Sequence, residues 1–244
     1  MVYKSKKKLK KLSDEEFADD VKKYISSSHT FYSVKLPELK ILAKRLHEEY
    51  DLKSFYKVFN KFWRSGYNEE RSLAIYALEL YKEEFDFNTW KFLKPKLKEI
   101  KSWDKIDSVA VNIIGEIILR SKQAELEIIK IANTNNLWFK RLAIMSTIPM
   151  IKKKKIGLSL KLAKKFLNEK EEYIQNATGW ILKEIGEENP DVLKRFVLKN
   201  INMPIATFNY ATENMKELRK MKDIKKLEKK RVLGFNAIKD IFRR

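Results

Sequence analysis

Apolar residues recur at helical spacing along almost the whole chain, as in Leu36, Leu39, Ile41, Leu42 and Leu46 and again in Leu73, Ile75, Tyr76, Leu78 and Leu80. Alternation with period two never persists, so the pattern predicts helices and no strands. Start signals interrupt it at short intervals: Ser13 with Glu16 forms a capping box, Pro37 stands early in a helix, and Asn189-Pro190 is a cap followed by a first-turn proline. Helices are expected at 13–27, 36–49, 51–65, 68–85, 88–100, 103–121, 122–134, 137–151, 156–169, 171–186 and 190–200, and over 203–243 with a break.

The runs around Ala74-Ile75 and Ala143-Ile144 lie 69 residues apart, two units of about 35, near the length of a helical-hairpin repeat. A single hairpin cannot bury its apolar stripe, so neighbours must stack. The expectation is an all-α solenoid with a concave face. A compact helical bundle is the alternative that composition alone allows. No linker rich in Gly, Pro or Ser divides the array, so one domain over 1–244 is expected.

Charge changes the picture. Lys and Arg number 53 against 33 Asp and Glu, a net charge of +20, and such a surface draws polyanions. The basic residues run along the whole chain instead of collecting on one amphipathic helix, which favours nucleic acid over a membrane surface. A lysine bias that serves solubility alone is the competing explanation. The absence of cysteine excludes disulfides, thiolate nucleophiles and zinc ribbons. No stretch approaches a membrane span and the lysine-rich start lacks an apolar secretion segment, so a cytoplasmic, membrane-free protein is expected.

Three residues are chemically awkward for packed helices: Asp107 in Ser102-Trp103-Asp104-Lys105-Ile106-Asp107, Arg141 in Trp138-Phe139-Lys140-Arg141, and Trp180 in Thr178-Gly179-Trp180. They are separated by 34 and 39 residues, about one repeat each, which would bring them to equivalent places in successive second helices. Trp103 precedes Asp107 by one turn, putting an aromatic ring and a carboxylate side by side. Phosphate binding does not need an acid. A cationic target does, because a carboxylate lowers the energy of nearby positive charge and an aromatic face attracts a cation. Taken singly, each has a plainer reading as core Trp, helix-start Asp or solvated Arg.

Elsewhere the signals are weak. His29 and His47 have no companions at metal-ligand spacing, so no metal or cofactor is expected, and no Gly-rich phosphate loop occurs. Glu69-Glu70 and Glu187-Glu188 sit near helix ends and read as dipole partners. The N-terminal lysines, Lys152 to Lys155 and the cluster from Lys220 to Arg231 read as solvated faces.

Ser-Trp-Asp-Lys-Ile-Asp (102–107), Trp-Phe-Lys-Arg-Leu-Ala-Ile (138–144) and Ile-Gln-Asn-Ala-Thr-Gly-Trp-Ile-Leu-Lys-Glu (174–184) resemble the AlkD family of DNA alkylation repair glycosylases, and the similarity spans Tyr24 to about Tyr210. The resemblance implies a HEAT-like solenoid with a concave basic groove that acts as a monomer on double-stranded DNA containing alkylated bases. It implies excision of positively charged N3- and N7-alkylated purines, with no cofactor. The family's catalytic Trp, Asp, Arg and Trp fall on Trp103, Asp107, Arg141 and Trp180, and a further aromatic used near the lesion falls on Tyr24. Lys105 and Lys140 join Arg141 and Tyr24 as candidate DNA contacts.

Asp107 would then stabilise the oxocarbenium-like sugar and position water, the two indoles would hold the sugar, and Arg141 would hold a phosphate. The cationic base already leaves readily, so no general acid is required. The family acts from the backbone side without a base pocket. Two departures stand out: Ser102 replaces a second Trp, and Pro204-Ile-Ala-Thr-Phe-Asn-Tyr210 stands where arginines are common. A HEAT-repeat module that binds damaged or branched DNA without chemistry is the second expectation, and a protein-binding scaffold the third.

Overall fold

The computed structural model describes residues 2–13 and 30–220. The helix expected at 13–27, beyond its first residue, and Tyr24, His29 and the tail beyond Lys220 lie outside them. The described residues are helical, with no strand and one isolated bridge between Thr30 and Tyr67. None of their helices is long and apolar enough to cross a membrane.

The chain divides into two compact units, residues 1–153 and 154–244. In the first unit the α-helices are α1 (Val2–Lys11), α2 (Leu36–Glu49), α3 (Leu52–Trp63), α4 (Asn68–Glu79), α5 (Phe87–Leu97), α6 (Trp103–Val109), α7 (Gly115–Arg120), α8 (Lys122–Ile131), α9 (Leu137–Met145) and α10 (Ile148–Lys152). A π-turn, Ala110–Ile114, joins α6 to α7. The second unit contains α11 (Gly157–Phe166), α12 (Glu172–Glu188), α13 (Pro190–Lys199) and α14 (Ile205–Ala211).

The starts follow cap chemistry. Asp51, Asp86, Ser121, Asn136 and Asn189 each accept from a backbone N–H in the first turn of α3, α5, α8, α9 and α13, satisfying donors that have no intrahelical partner. Pro37 falls in the first turn of α2, as expected. The helices α4, α6, α9, α12 and α14 begin 35, 34, 35 and 33 residues apart, so the repeat visible in the apolar runs is a repeat of helices.

Within the first unit α4 packs on α2 and α3, and α6 packs between α4 and α9. Phe55, Phe59, Phe62, Trp90 and Leu93 are almost fully buried there, each contributing on the order of 1.5–3 kcal/mol. In the second unit α12 packs on α11, α13 and α14, around Phe166, Ile174, Ile181 and Leu182.

Four expectations are corrected. The helix expected over 137–151 is two, because Pro149 lacks an N–H and its ring crowds the carbonyl four residues back; Ser146 and Thr147 fill the break, donating to Ala143 and Ile144 carbonyls at 2.9 and 2.7 Å. The helix expected over 68–85 stops at Glu79, and a 3-10 turn follows at Lys82–Glu84, with the Tyr81 hydroxyl donating to the Tyr50 carbonyl at 2.5 Å. The N-terminal lysines are not all solvated: α1 buries Ser5 and Leu9, and Lys6 reaches the Glu70 carboxylate at 2.5 Å. Glu187 and Glu188 end α12, where the helix dipole disfavours them; Glu187 instead accepts from the Asn214 amide at 3.1 Å.

Gly115 opens α7 where a Cβ would lie 2.5 and 2.7 Å from the Pro149 ring and 2.9 Å from the Ser146 carbonyl. That proximity lets α7 lie against the α9–α10 break. Gly115→Ala is expected to cost about 1–3 kcal/mol by overpacking. Urea unfolding reads this directly, and an unchanged midpoint contradicts the close approach.

Candidate functional site

Asp107 and Arg141 occupy the same position in successive repeats, four residues after the first residues of α6 and α9. Helix packing brings them together. Arg141 donates from Nε to Asp107 Oδ1 at 2.8 Å and from Nη2 to Oδ2 at 2.6 Å, the bidentate geometry that gives a carboxylate a fixed plane. Both residues are buried, 9% and 5% exposed. Burial pushes the Asp107 carboxyl above its ordinary range; the Arg141 guanidinium pulls it back down without overcoming that effect, and Asp104 on the same helix raises it further. The cationic partner favours the ionised carboxylate against the cost of burial.

Trp103 is the first residue of α6 and half-buried. One turn separates it from Asp107, so the two share a side of the helix. Lys140, next to Arg141, is also half-buried. Lys105 differs from the surface contact expected of it. It is 6% exposed, and its ammonium donates to the side-chain carbonyl of Asn68 and lies 3.4 Å from Asp104 Oδ2. Burial drives its pKa down, against the pull of Asp104 and Glu69. The second Asp104 oxygen is buried without a hydrogen-bond partner. Lys105 therefore ties the start of α6 to the start of α4.

That start of α4 is itself clamped. Glu69 accepts from the backbone N–H groups of Tyr32 and Ser33 at 3.0 and 2.7 Å, and Glu70 accepts from the Tyr32 hydroxyl at 3.0 Å. Ser33 has a positive φ of 61°, a conformation disfavoured for a residue with a side chain, and the Glu69 hydrogen bonds hold it. These glutamates sit at a helix N-terminus as expected, but they act as buried acceptors.

Trp180 lies in the second unit, on α12, with 36% of its surface exposed and its indole N–H on Glu184 at 2.9 Å. Helix numbering corrects the spacing argument. Four residues into α12 stands Asn176, and Trp180 is a full turn further on, so it is not the register equivalent of Asp107 and Arg141.

The two departures from the family pattern have local explanations. Ser102 is the N-cap of α6 and is buried, which leaves no room for an indole without rearrangement. The segment 204–210 forms most of α14: Thr207 and Phe208 are buried, and a Cβ on Gly179 would lie 2.5 Å from Tyr210 Cβ and 2.7 Å from the Thr207 carbonyl. Gly179 permits this close approach of α14 to α12, and the Thr207 hydroxyl donates to the Gln175 carbonyl across it at 3.0 Å.

The family model described as "DNA alkylation repair enzyme" matches residues 5–215. The chain belongs to that family. Among solved structures it is similar to a predicted DNA alkylation repair enzyme from Enterococcus faecalis, with a TM-score of 0.75 and 17% identity over 84% of this chain and 97% of that one. It is also similar to AlkD2 from Streptococcus mutans, with a TM-score of 0.58 and 14% identity over 83% of this chain and 99% of that one. A third likeness is to smu.31 from Streptococcus mutans UA159, with a TM-score of 0.57 and 17% identity over 72% and 91% of the two chains. At these identities the likeness is one of fold. No curated protein sequence matches the chain significantly.

Proposed function

We propose that the protein is a monofunctional DNA N-glycosylase that removes positively charged N3- and N7-alkylated purines from duplex DNA. The observation that carries this reading is the buried, bidentate Asp107–Arg141 pair on helices of a chain with net charge +20. Membership of the DNA alkylation repair family supports DNA as the substrate.

In this reaction the C1′–N bond breaks and its electron pair neutralises the positive charge of the departing base. Positive charge develops on the deoxyribose, a water oxygen bonds to C1′, and its proton passes to solvent. The Asp107 carboxylate stabilises the developing charge and orients the water. Arg141 fixes the plane of that carboxylate and adds positive charge for a flanking phosphate. Trp103 offers an aromatic face beside the acid, and Lys140 contacts the backbone. Lys105 acts from the interior, as a buried charge that steadies α6. The exposed indole of Trp180 gives the second unit an aromatic DNA contact.

Selectivity follows from the chemistry. With no general acid, release requires a base that already carries charge. Duplexes carrying N7-methylguanine or N3-methyladenine are expected to release base, and an otherwise identical duplex with the neutral lesion 1,N6-ethenoadenine is not. Equal release of charged and neutral bases contradicts the mechanism.

A non-catalytic DNA-binding module is the second reading, favoured by the mutual satisfaction of Asp107 and Arg141, which a purely structural tie between α6 and α9 would also show. Both DNA readings predict that duplex affinity falls steeply with salt, by about a thousandfold or more between 50 and 200 mM for six or more phosphate contacts. Fluorescence anisotropy measures it. A flat salt response points to a protein-binding scaffold.

A further inference from the structure

Glu79, the last residue of α4, reaches across to the helix that carries Asp107. Its Oε1 accepts from the Ser108 hydroxyl at 2.5 Å and from the Asn112 amide at 3.0 Å. Ser108 follows Asp107 directly, and Asn112 lies inside the π-turn Ala110–Ile114. One carboxylate oxygen thus bridges the point where the helix changes from four-residue to five-residue hydrogen bonding, with the Gly115 N–H donating to the Ala110 carbonyl.

The π-turn has a geometric consequence. In a regular α-helix each residue advances by about 100°, so eight steps from Asp107 to Gly115 leave them about 80° apart. A π-turn accommodates one additional residue, and the same span then behaves as about seven steps, leaving roughly 20° between them. Both positions must face the same neighbours. Asp107 meets Arg141 on α9, and Gly115 meets Ser146 and Pro149 at the α9–α10 break. The insertion allows one helix to make both contacts.

We propose that Glu79 is a positioning residue for Asp107: by holding Ser108 and Asn112 across the start of the π-turn, it keeps the insertion that turns the Asp107 carboxylate toward Arg141. Neither partner of Glu79 belongs to the Asp107–Arg141 pair. Burial pushes the Glu79 carboxyl up, while its two donors and Lys40 on α2 pull it down. The proposal rests on the glycosylase reading for its effect on rate, but its effect on Asp107 is measurable without catalysis.

The test compares Glu79→Ala, Glu79→Gln and Asn112→Ala in the full chain. Single-turnover base release from N7-methylguanine duplex is read beside duplex affinity, and the Asp107 titration is followed by ¹³C-carboxyl NMR, assigned with Asp107→Asn. Glu79→Ala is expected to slow release about tenfold, as a small misplacement of a catalytic group does. Its duplex Kd stays within twofold, and the Asp107 midpoint moves. Glu79→Gln retains an acceptor for both donors and is expected to restore the rate to within about twofold. Should Glu79→Ala not fold, Asn112→Ala, at an exposed position, is expected to show the same shift in smaller measure.

An unmoved Asp107 titration in the alanine variants overturns the proposal. So does a Glu79→Gln variant as impaired as Glu79→Ala, or a loss that appears in Kd instead of rate. If the unsubstituted protein releases no base, the glycosylase reading fails, and the NMR titration alone decides the role of Glu79.

Discussion

Replacing Asp107 with Asn is expected to slow excision of N7-methylguanine by roughly 100- to 1000-fold, the loss that follows removal of one preorganised electrostatic group at a transition state. The substitution keeps the size of the side chain and removes its charge. Duplex affinity should hold or rise slightly, since a negative charge leaves a basic surface. The pH profile supplies an independent signature. The carboxyl is raised by burial in the free protein, and only its ionised form stabilises a cation, so excision by the unsubstituted protein should climb with pH through the raised Asp107 pKa and then level. Residual activity in the Asn variant should lack that limb. An Asn variant with full activity removes Asp107 from the reaction.

Arg141→Ala has the largest expected effect on stability. It leaves the Asp107 carboxylate buried without its counter-charge, and breaking a buried pair in this way costs about 3–5 kcal/mol. The sign of the pH dependence follows from the direction of the shift. A carboxyl whose folded pKa lies above its unfolded value costs stability once it ionises, so its contribution is most favourable at acid pH and declines as pH rises through the folded value. Loss of the guanidinium moves the folded pKa further up. The destabilisation of Arg141→Ala should therefore be greatest at neutral pH and smaller toward pH 4. Denaturant melts across that range measure it, and a loss independent of pH contradicts the account of the pair.

Much of this architecture was legible in the residues. Helical periodicity, cap residues such as Asn189 and a 69-residue echo between apolar runs anticipated an all-helical repeat, and the 34-residue step from Asp107 to Arg141 anticipated that helix packing would join them. Trp180 shows the limit of spacing: 39 residues approximates a repeat, yet the residue in register is Asn176, because position within a helix depends on where that helix begins.

Other features had no distinguishing signal. Lys6 read like every other lysine in a strongly basic chain and Lys105 as a candidate DNA contact, and only packing shows that one reaches the nearly fully buried Glu70 and the other is itself buried on Asn68. The π-turn is also silent, since an inserted residue leaves an apolar run looking helical. Gly115 was the available clue. A glycine inside a helical pattern costs about 1 kcal/mol against alanine and so points to a close approach, here to Pro149. Glu79 looked like any polar residue inside the helix expected over 68–85.

Asp107 is expected to perform chemistry on DNA and not merely to tie α6 to α9. Base release from an N7-methylguanine duplex, followed under single-turnover conditions with the protein in excess, tests it most directly. Free N7-methylguanine and an abasic strand are expected from the unsubstituted protein, and release slowed roughly 100- to 1000-fold from Asp107→Asn at matched duplex occupancy. No release above that of heat-denatured protein, or equal release from the two proteins, contradicts it.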